Sequence, residues 1–355
     1  MAVSAKVAAV VDVRKEREGL QEVVVESDGR REPALNYVTL TGSLKVGDRV
    51  VINTTAVELG LGTGGMHFVM ARLAEGEPLP PGHIMKLRYT PWQFSCLAAE
   101  EQDSPHHQAV ASLRSLNGMP VIACCLHSMI APAAAGFKAE RAGRVVYIMT
   151  DGAALPLALS DLVVDLRRAG LLDATITAGQ AFGGDYEAVN LHSALIVAKA
   201  VAAADVAIVS QGPGNVGTGT PFGFSGIEQG EIVNAAAALG GRPIAYPRIS
   251  FTERRERHRG LSHHTVTALG VAALATAEVV LPEMAADRMK PIMDALEAAK
   301  ISGKHRVIVR DGSRGMDELR RRNIQVKSMG RAPGDDPEFF LAAAAAGAYA
   351  AEILG

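Results

Sequence analysis

The sequence predicts an α/β protein: a small N-terminal β-barrel followed by a doubly wound, mostly parallel α/β sandwich. Three observations carry that prediction. Roughly the first 70 residues hold about five short runs rich in β-branched residues, separated by turn formers, the pattern of a small barrel. Beyond residue 120 short apolar runs alternate with longer helical stretches. Those later runs are apolar at every position, as strands of a parallel sheet covered on both faces are.

The barrel strands read as 7–13, 21–26, 37–40, the apolar part of 44–54 and 67–73. Ser27-Asp28-Gly29 and Gly47-Asp48 supply turns between them. Residues 60–67 hold four glycines, which reads as a bend in the barrel. Residues 75–83, rich in proline and glycine, read as a linker. The boundaries expected are therefore a barrel domain over 1–80 and a three-layer α/β domain over 85–355.

In the second domain the expected strands are 120–126, 144–149, 174–177, 205–210, 242–246, 278–281, 306–309 and 324–327. Helices are expected over 131–142, 155–169, 186–203, 226–239, 265–277, 288–300 and 316–322, with an alanine-rich helix at 337–353. Thr90-Pro91 and Ser104-Pro105 read as N-cap and first-turn pairs of helices.

Composition narrows the function. The 355 residues are 48% hydrophobic and 21% charged, an ordinary globular balance. A formal charge of −2 gives no global attraction to nucleic acid, so any anion site must be local. Three cysteines without a CxxC pair point to a reducing, cytoplasmic setting. The apolar stretch at the N-terminus is too short for a signal peptide, and no later run reaches the roughly 20 apolar residues of a membrane span.

Ligands of open parallel sheets bind outside the carboxyl ends of the strands. The residues that follow each strand are therefore the candidates. They include His127 and Ser128, Asp151, Asp185 within GQAFGGDYE, Gln211, and Arg248 and Ser250 of PRIS. After Gln211 come Gly212, Gly214, Gly217, Thr218 and Gly219. Gly212 to Gly217 matches GxGxxG, but Thr-Gly-Thr-Pro-Phe-Gly follows where a dinucleotide fold needs a helix, so a nicotinamide site is rejected. What remains is a loop with many backbone N–H groups that could cradle an anion, or a long turn that closes over its neighbours. Gly223-Phe-Ser225-Gly226 lacks the final glycine of a nucleophile elbow, and Ser225 reads as a helix N-cap.

The loop over 252–265 carries Arg254, Arg255, Arg257 and Arg259 with His258, His263 and His264. Ser262 as N-cap puts His263 and His264 in the first helical turn, where the helix dipole favours neutral imidazole. His127, His192 and His263 are candidates to converge with Asp151 or Asp185 as an acid–base or metal site. No cofactor is specified, and metal binding stays open.

Four stretches, LKVGDRVVINTTAVELGLGTGGMHFV, MTDGAALPLALSDLV, the glycine loop and SHHTVTALG, make the chain resemble a bacterial protein family, domain of unknown function 3866. The resemblance covers most of the chain. It implies a stand-alone protein of this size and carries over no catalytic residue.

The first expectation is an enzyme or binder for a small anionic ligand such as a nucleotide or a phosphorylated metabolite. Gly212–Gly219 would cradle it, Arg248 or Arg254 would clamp it, and His263 or His264 would act as base or acid. The alternative is a nucleic-acid or protein binding module built on the barrel, with the α/β domain as a dimerisation scaffold. Glutamates interleaved with the barrel's arginines and few stacking aromatics argue against nucleic acid. A homo-oligomer is expected and a membrane partner is not.

Overall fold

The computed structural model describes residues 3–60, 63–74 and 81–355. Most of the expected linker, residues 75–80, and Leu61 and Gly62 of the glycine bend lie outside them. The chain forms two compact units, Met1–Cys96 and Leu97–Gly355.

The first unit is a closed five-stranded barrel of β1 (Ala5–Arg17), β2 (Leu20–Ser27), β3 (Arg30–Tyr37), β4 (Arg49–Asn53) and β5 (His67–Arg72), in the order β1-β2-β3-β5-β4. β3 and β5 run parallel. Asp28 and Gly29 both take positive φ, 52° and 73°, as a tight Asp-Gly hairpin turn requires. Val10, Val23, Val25, Ala34, Val50, Ile52 and Val69 fill the interior. Gln21 and Asn36 are also buried. Gln21 bonds the backbone of Leu44 through both ends of its amide (2.8 and 3.2 Å) and accepts from Asn36 at 3.0 Å. The third strand therefore runs 30–37 rather than 37–40. Residues expected to extend it form a helical turn, α1 (Val38–Thr41), and α2 (Thr55–Glu58) follows β4. A hairpin of β6 (Ile84–Lys86) and β7 (Phe94–Cys96) belongs to this unit. Thr90-Pro91 lies in its turn, so the expected helix start there is corrected.

In the second unit the expected alternation holds. After α3 (His107–Ser112) come β8 (Pro120–Ala123), α4 (Ile130–Glu140), β9 (Val145–Thr150), α5 (Asp161–Arg168), β10 (Ala174–Ala178), β11 (Tyr186–Ala188), α6 (Leu191–Ala200), β12 (Val206–Gln211), α7 (Glu228–Ala238) and β13 (Arg242–Ala245). A small hairpin of β14 (Ile249–Ser250) and β15 (Gly260–Leu261) precedes α8 (His263–Thr267). β16 (Glu278–Pro282), α9 (Ala286–Ala298), α10 (Ile301–Lys304), β17 (Arg306–Arg310), α11 (Ser313–Arg321) and α12 (Pro337–Glu352) complete it. Residues 324–327, expected as a strand, are coil, and β11 replaces the first turn of an expected helix.

The eight-stranded sheet has the order β11-β10-β9-β12-β8-β13-β16-β17, with every pair parallel. Its strands feed two cores in alternation. Val145, Tyr147 and Met149 face α4, α5, α11 and α12, while Val146 and Ile148 face α6, α7 and α9. From β9 the chain moves to one edge of the sheet, and from β12 to the other. The carboxyl ends of β8, β9, β12 and β13 thus border the crevice where strand order reverses.

The alanine-rich helix α12 packs directly on α4. A Cβ at Gly136 would collide with the Ala344 carbonyl, and one at Gly347 with that of Ala133. Small residues here permit backbone contact, and α12 leaves only Pro337 and Glu352 exposed. It is a core helix with little surface to offer a second copy of the chain. Among the described residues no helix is long and apolar enough to cross a membrane.

Candidate functional site

Two adjoining clefts lie along the carboxyl edge of the sheet. The smaller, about 120 Å³, is lined by Gly217, Gly219, Arg248, Arg255, Arg257, His258 and His264 among others. The larger, about 500 Å³, is lined by His127, Ser128, Ser160, Gly212, Gly214 and Lys327 among others. Leu126, Asn215 and Met329 belong to both.

The smaller cleft is built by the chain leaving β13. The backbone N–H of Arg248 donates to Thr265 Oγ1 at 2.8 Å, and Ser262 N–H donates to the Arg248 carbonyl at 2.9 Å. Ser262 is the N-cap of α8, its hydroxyl accepting the His264 N–H, as the sequence predicted. The same hydroxyl lies 2.7 Å from His258 Nδ1. One serine therefore gathers three imidazoles, whose ring centroids stand 4.4–4.7 Å apart. Phe224 supports them, stacked on His264 at 3.8 Å. His258 was not among the favoured candidates, because it reads as one member of a charged loop; in the fold it is buried.

All three histidines are neutral near pH 7. Burial, then the Arg248 guanidinium and its neighbours, pushes His258 and His264 down to about 3. His263 is lowered by burial and then by Arg257. Burial and the arginines thus bring about the neutral imidazole that the helix dipole led us to expect.

Arg248 is only 4% exposed, yet its Nε–H has no partner among the described residues. Its remaining contacts are weak: Met329 Sδ at 3.2 Å, His264 Nδ1 at 3.5 Å and Glu253 at 3.9 Å. Glu253 is already engaged by Arg255 at 2.8 Å and Arg331 at 3.1 Å, which hold its carboxyl far below the usual range. Arg257 forms no ion pair among the described residues. The cleft wall therefore carries more guanidinium than carboxylate.

Neutral imidazoles whose ligand atoms all lie within 4.8 Å of one another have the composition of a zinc site. The charge around them opposes it. At about 5 Å and an effective dielectric of 20, each pair of unit charges is worth roughly 3 kcal/mol, so a dication is repelled by every guanidinium that an anion would attract. The arrangement suits an anion, with arginines as counter-charge and imidazole N–H groups as donors.

His127 lines the larger cleft. Its Nε2 lies 2.7 Å from Ser160 Oγ, and its Nδ1 lies 3.1 Å from Tyr147 Oη and 3.3 Å from the Gln211 carbonyl. Burial pushes its pKa down to about 4. Ser128 donates to Ser328 at 3.1 Å, fixing the coil that brings Lys327 and Met329 to the clefts.

The glycine loop is tied to itself. Gly217 bridges Phe224, and Thr218 accepts from and donates to the loop rather than facing a cleft. Ser225 Oγ bonds Asn215, Gln211 and the Val216 N–H, so it fixes the loop and does not cap α7. Gly214 and Gly219 take positive φ, and Gly212 passes against the Ala154 carbonyl.

Other candidates lie elsewhere. Asp185 bonds Arg167 and the Thr175 backbone N–H, at the amino-terminal end of β10 and away from the crevice. Asp151 accepts the Gln180 N–H at 2.9 Å and lines neither cleft. Ser250 is buried against Asp336, and Arg254 and His192 are exposed outside both clefts. Gln211 reaches the site through its carbonyl, while its side chain holds the loop.

Comparison with protein families matches residues 33–347 to the model described as "Protein of unknown function (DUF3866)". The chain belongs to this family. No curated protein matches it. The match runs from β3 of the barrel to α12, so a DUF3866 chain includes most of both units and the whole of both clefts.

Proposed function

We propose that this DUF3866 protein binds a small anionic metabolite, a phosphorylated compound or nucleotide, at the carboxyl edge of its parallel sheet. The observation that carries the reading is Arg248, a buried guanidinium that lines a cleft and whose Nε–H has no partner among the described residues. A buried charge without full compensation is costly, and a bound anion supplies the compensation. The cleft's 120 Å³ equals about four water volumes at ~30 Å³ each, room for one phosphate group. The adjoining 500 Å³ falls within the usual range for small-molecule pockets, where the rest of the ligand would lie. Arg255 and Arg257 complete the clamp, and His258 and His264 donate to the anion. A thermal-shift panel of inorganic phosphate, sugar phosphates and nucleotides tests this. The wild type should gain stability with at least one of them and Arg248→Met should not; a wild type indifferent to every compound sinks the proposal.

A second reading is favoured by one observation, the barrel's strand order, which is that of oligonucleotide-binding barrels. Fold alone carries it, and it ranks below the first. Binding of an RNA pool by the full chain, with a steep salt dependence unaffected by Arg248→Met, would reverse the order.

A further inference from the structure

The larger cleft holds an arrangement that anion binding does not use. His127 Nδ1 faces the Gln211 carbonyl at 3.3 Å, which can only accept, and the Tyr147 hydroxyl at 3.1 Å, whose own proton goes to the Ser210 or Gln211 carbonyl; the tautomer with the proton on Nδ1 satisfies both. Nε2 then presents its lone pair to the Ser160 hydroxyl at 2.7 Å. Tyr147, buried behind the ring, shares its one hydroxyl proton between the Ser210 and Gln211 carbonyls and holds the imidazole edge-on. Hydroxyl, imidazole and orienting acceptor stand in the order used for nucleophilic catalysis, with a main-chain carbonyl in the place of the usual carboxylate. Ser160 is also the N-cap of α5: its oxygen accepts the Val163 N–H at 3.1 Å and sits at the positive end of the helix dipole. Both effects stabilise an alkoxide more than a hydroxyl. Ser160 and His127 line one cleft, whose wall carries Leu126, Leu159, Leu162, Pro213 and Met329, apolar surface suited to an acyl chain.

We propose that Ser160 is a nucleophile and His127 its general base, in an acyl-transfer site that cleaves small carboxylic esters or thioesters. The Ser160 Oγ–carbon bond forms as the hydroxyl proton moves to His127 Nε2. The imidazolium returns that proton to the leaving alcohol or thiol as the carbon–oxygen or carbon–sulfur bond breaks. Water, giving its proton to His127, then adds to the acyl-serine; Ser160 departs with that proton and the carboxylic acid is released. The amino end of α5 and Lys327 on the facing coil supply positive potential to the transient oxyanion, set against one carboxylate on the cleft wall, Asp161 at the start of α5.

The test uses the full chain and a fluorophosphonate probe, with the adduct located by peptide mass spectrometry. It does not involve Arg248, so its outcome is separable from that of the anion reading. The wild type should carry the adduct on Ser160, and, over the pH range in which circular dichroism shows the chain folded, the labelling rate should rise as pH increases through about 4, where His127 loses its proton. Ser160→Asn keeps a good N-cap and should fold normally without reacting. His127→Gln should label at least about 100-fold more slowly. A wild type with no adduct on Ser160, or a His127→Gln variant that labels as fast, overturns the proposal. If either variant fails to fold, the wild-type adduct position and its pH profile decide alone.

Discussion

Replacing Arg248 with methionine should separate stability from binding. The change removes the guanidinium and keeps most of the stem volume. In the folded protein that group leaves its Nε–H unsatisfied and meets its nearest carboxylate only at 3.9 Å. One buried unsatisfied donor costs about 1–3 kcal/mol. Glu253 loses little, because Arg255 and Arg331 hold it at 2.8 and 3.1 Å. The variant is therefore expected to gain about 1–2 kcal/mol in anion-free buffer, a rise of roughly 2–8 °C in melting temperature for a unit of this size. The anion response should move the other way. An anion at 100 times its Kd stabilises the wild type by about 2.7 kcal/mol, and the variant should show almost none of that. Scanning calorimetry with and without inorganic phosphate or a phosphorylated ligand from the panel measures both. A variant destabilised by 3 kcal/mol or more whose ligand response is intact would mean that Arg248 is a structural ion-pair member, and the reasoning would be wrong.

Acid should destabilise the protein early. His127, His258 and His264 have folded pKa values near 4, 3 and 3, against 6.5 when unfolded, so the unfolded chain takes up protons that the fold refuses. Stability from these groups is complete above pH 6.5 and is lost progressively as pH falls from there through 4 to about 3. Glu228, raised by burial to about 7, acts in the opposite sense between pH 4.5 and 7, and Asp336, also raised by burial, acts in that same sense, but these are two carboxyls against three imidazoles. Denaturant midpoints that stay flat from pH 7 to 4.5 would contradict this balance. Gly347→Leu should cost about 3 kcal/mol or more through overpacking of α12 on α4, read from urea unfolding; an unchanged midpoint would mean that the two helices do not touch there. Asp185→Asn should cost about 1–2 kcal/mol and leave phosphate binding untouched, because its partners Arg167 and Thr175 lie away from both clefts; a binding defect in calorimetric titration would return Asp185 to the site.

The parallel sheet was legible because strands buried on both faces carry uninterrupted apolar runs, such as residues 145–149. β11 was not, since a three-residue strand beginning Tyr-Glu-Ala looks like the opening of the helix that follows it. Residues 324–327 show the converse: Ile-Gln-Val-Lys alternates like a strand, but only Val326 is buried and the segment is a coil carrying cleft residues. The strand-end rule led to His127 and Arg248, each a few residues beyond its strand, and the fold places them on the walls of the two clefts. It failed for Asp185 because the chain doubles back after β10 to start β11 in parallel, bringing that residue to the amino end. Ser160 could not be singled out, since nothing in LALSDLV distinguishes a cap that meets a histidine from one that meets water.

A crystal of the wild type soaked in tungstate, a heavy tetrahedral dianion, tests the anion cleft most directly. An anomalous peak bounded by Arg248, Arg255, Arg257 and His264 is the predicted result. Tungstate bound only at other surfaces, with that cleft clear at a concentration that saturates them, would contradict the account.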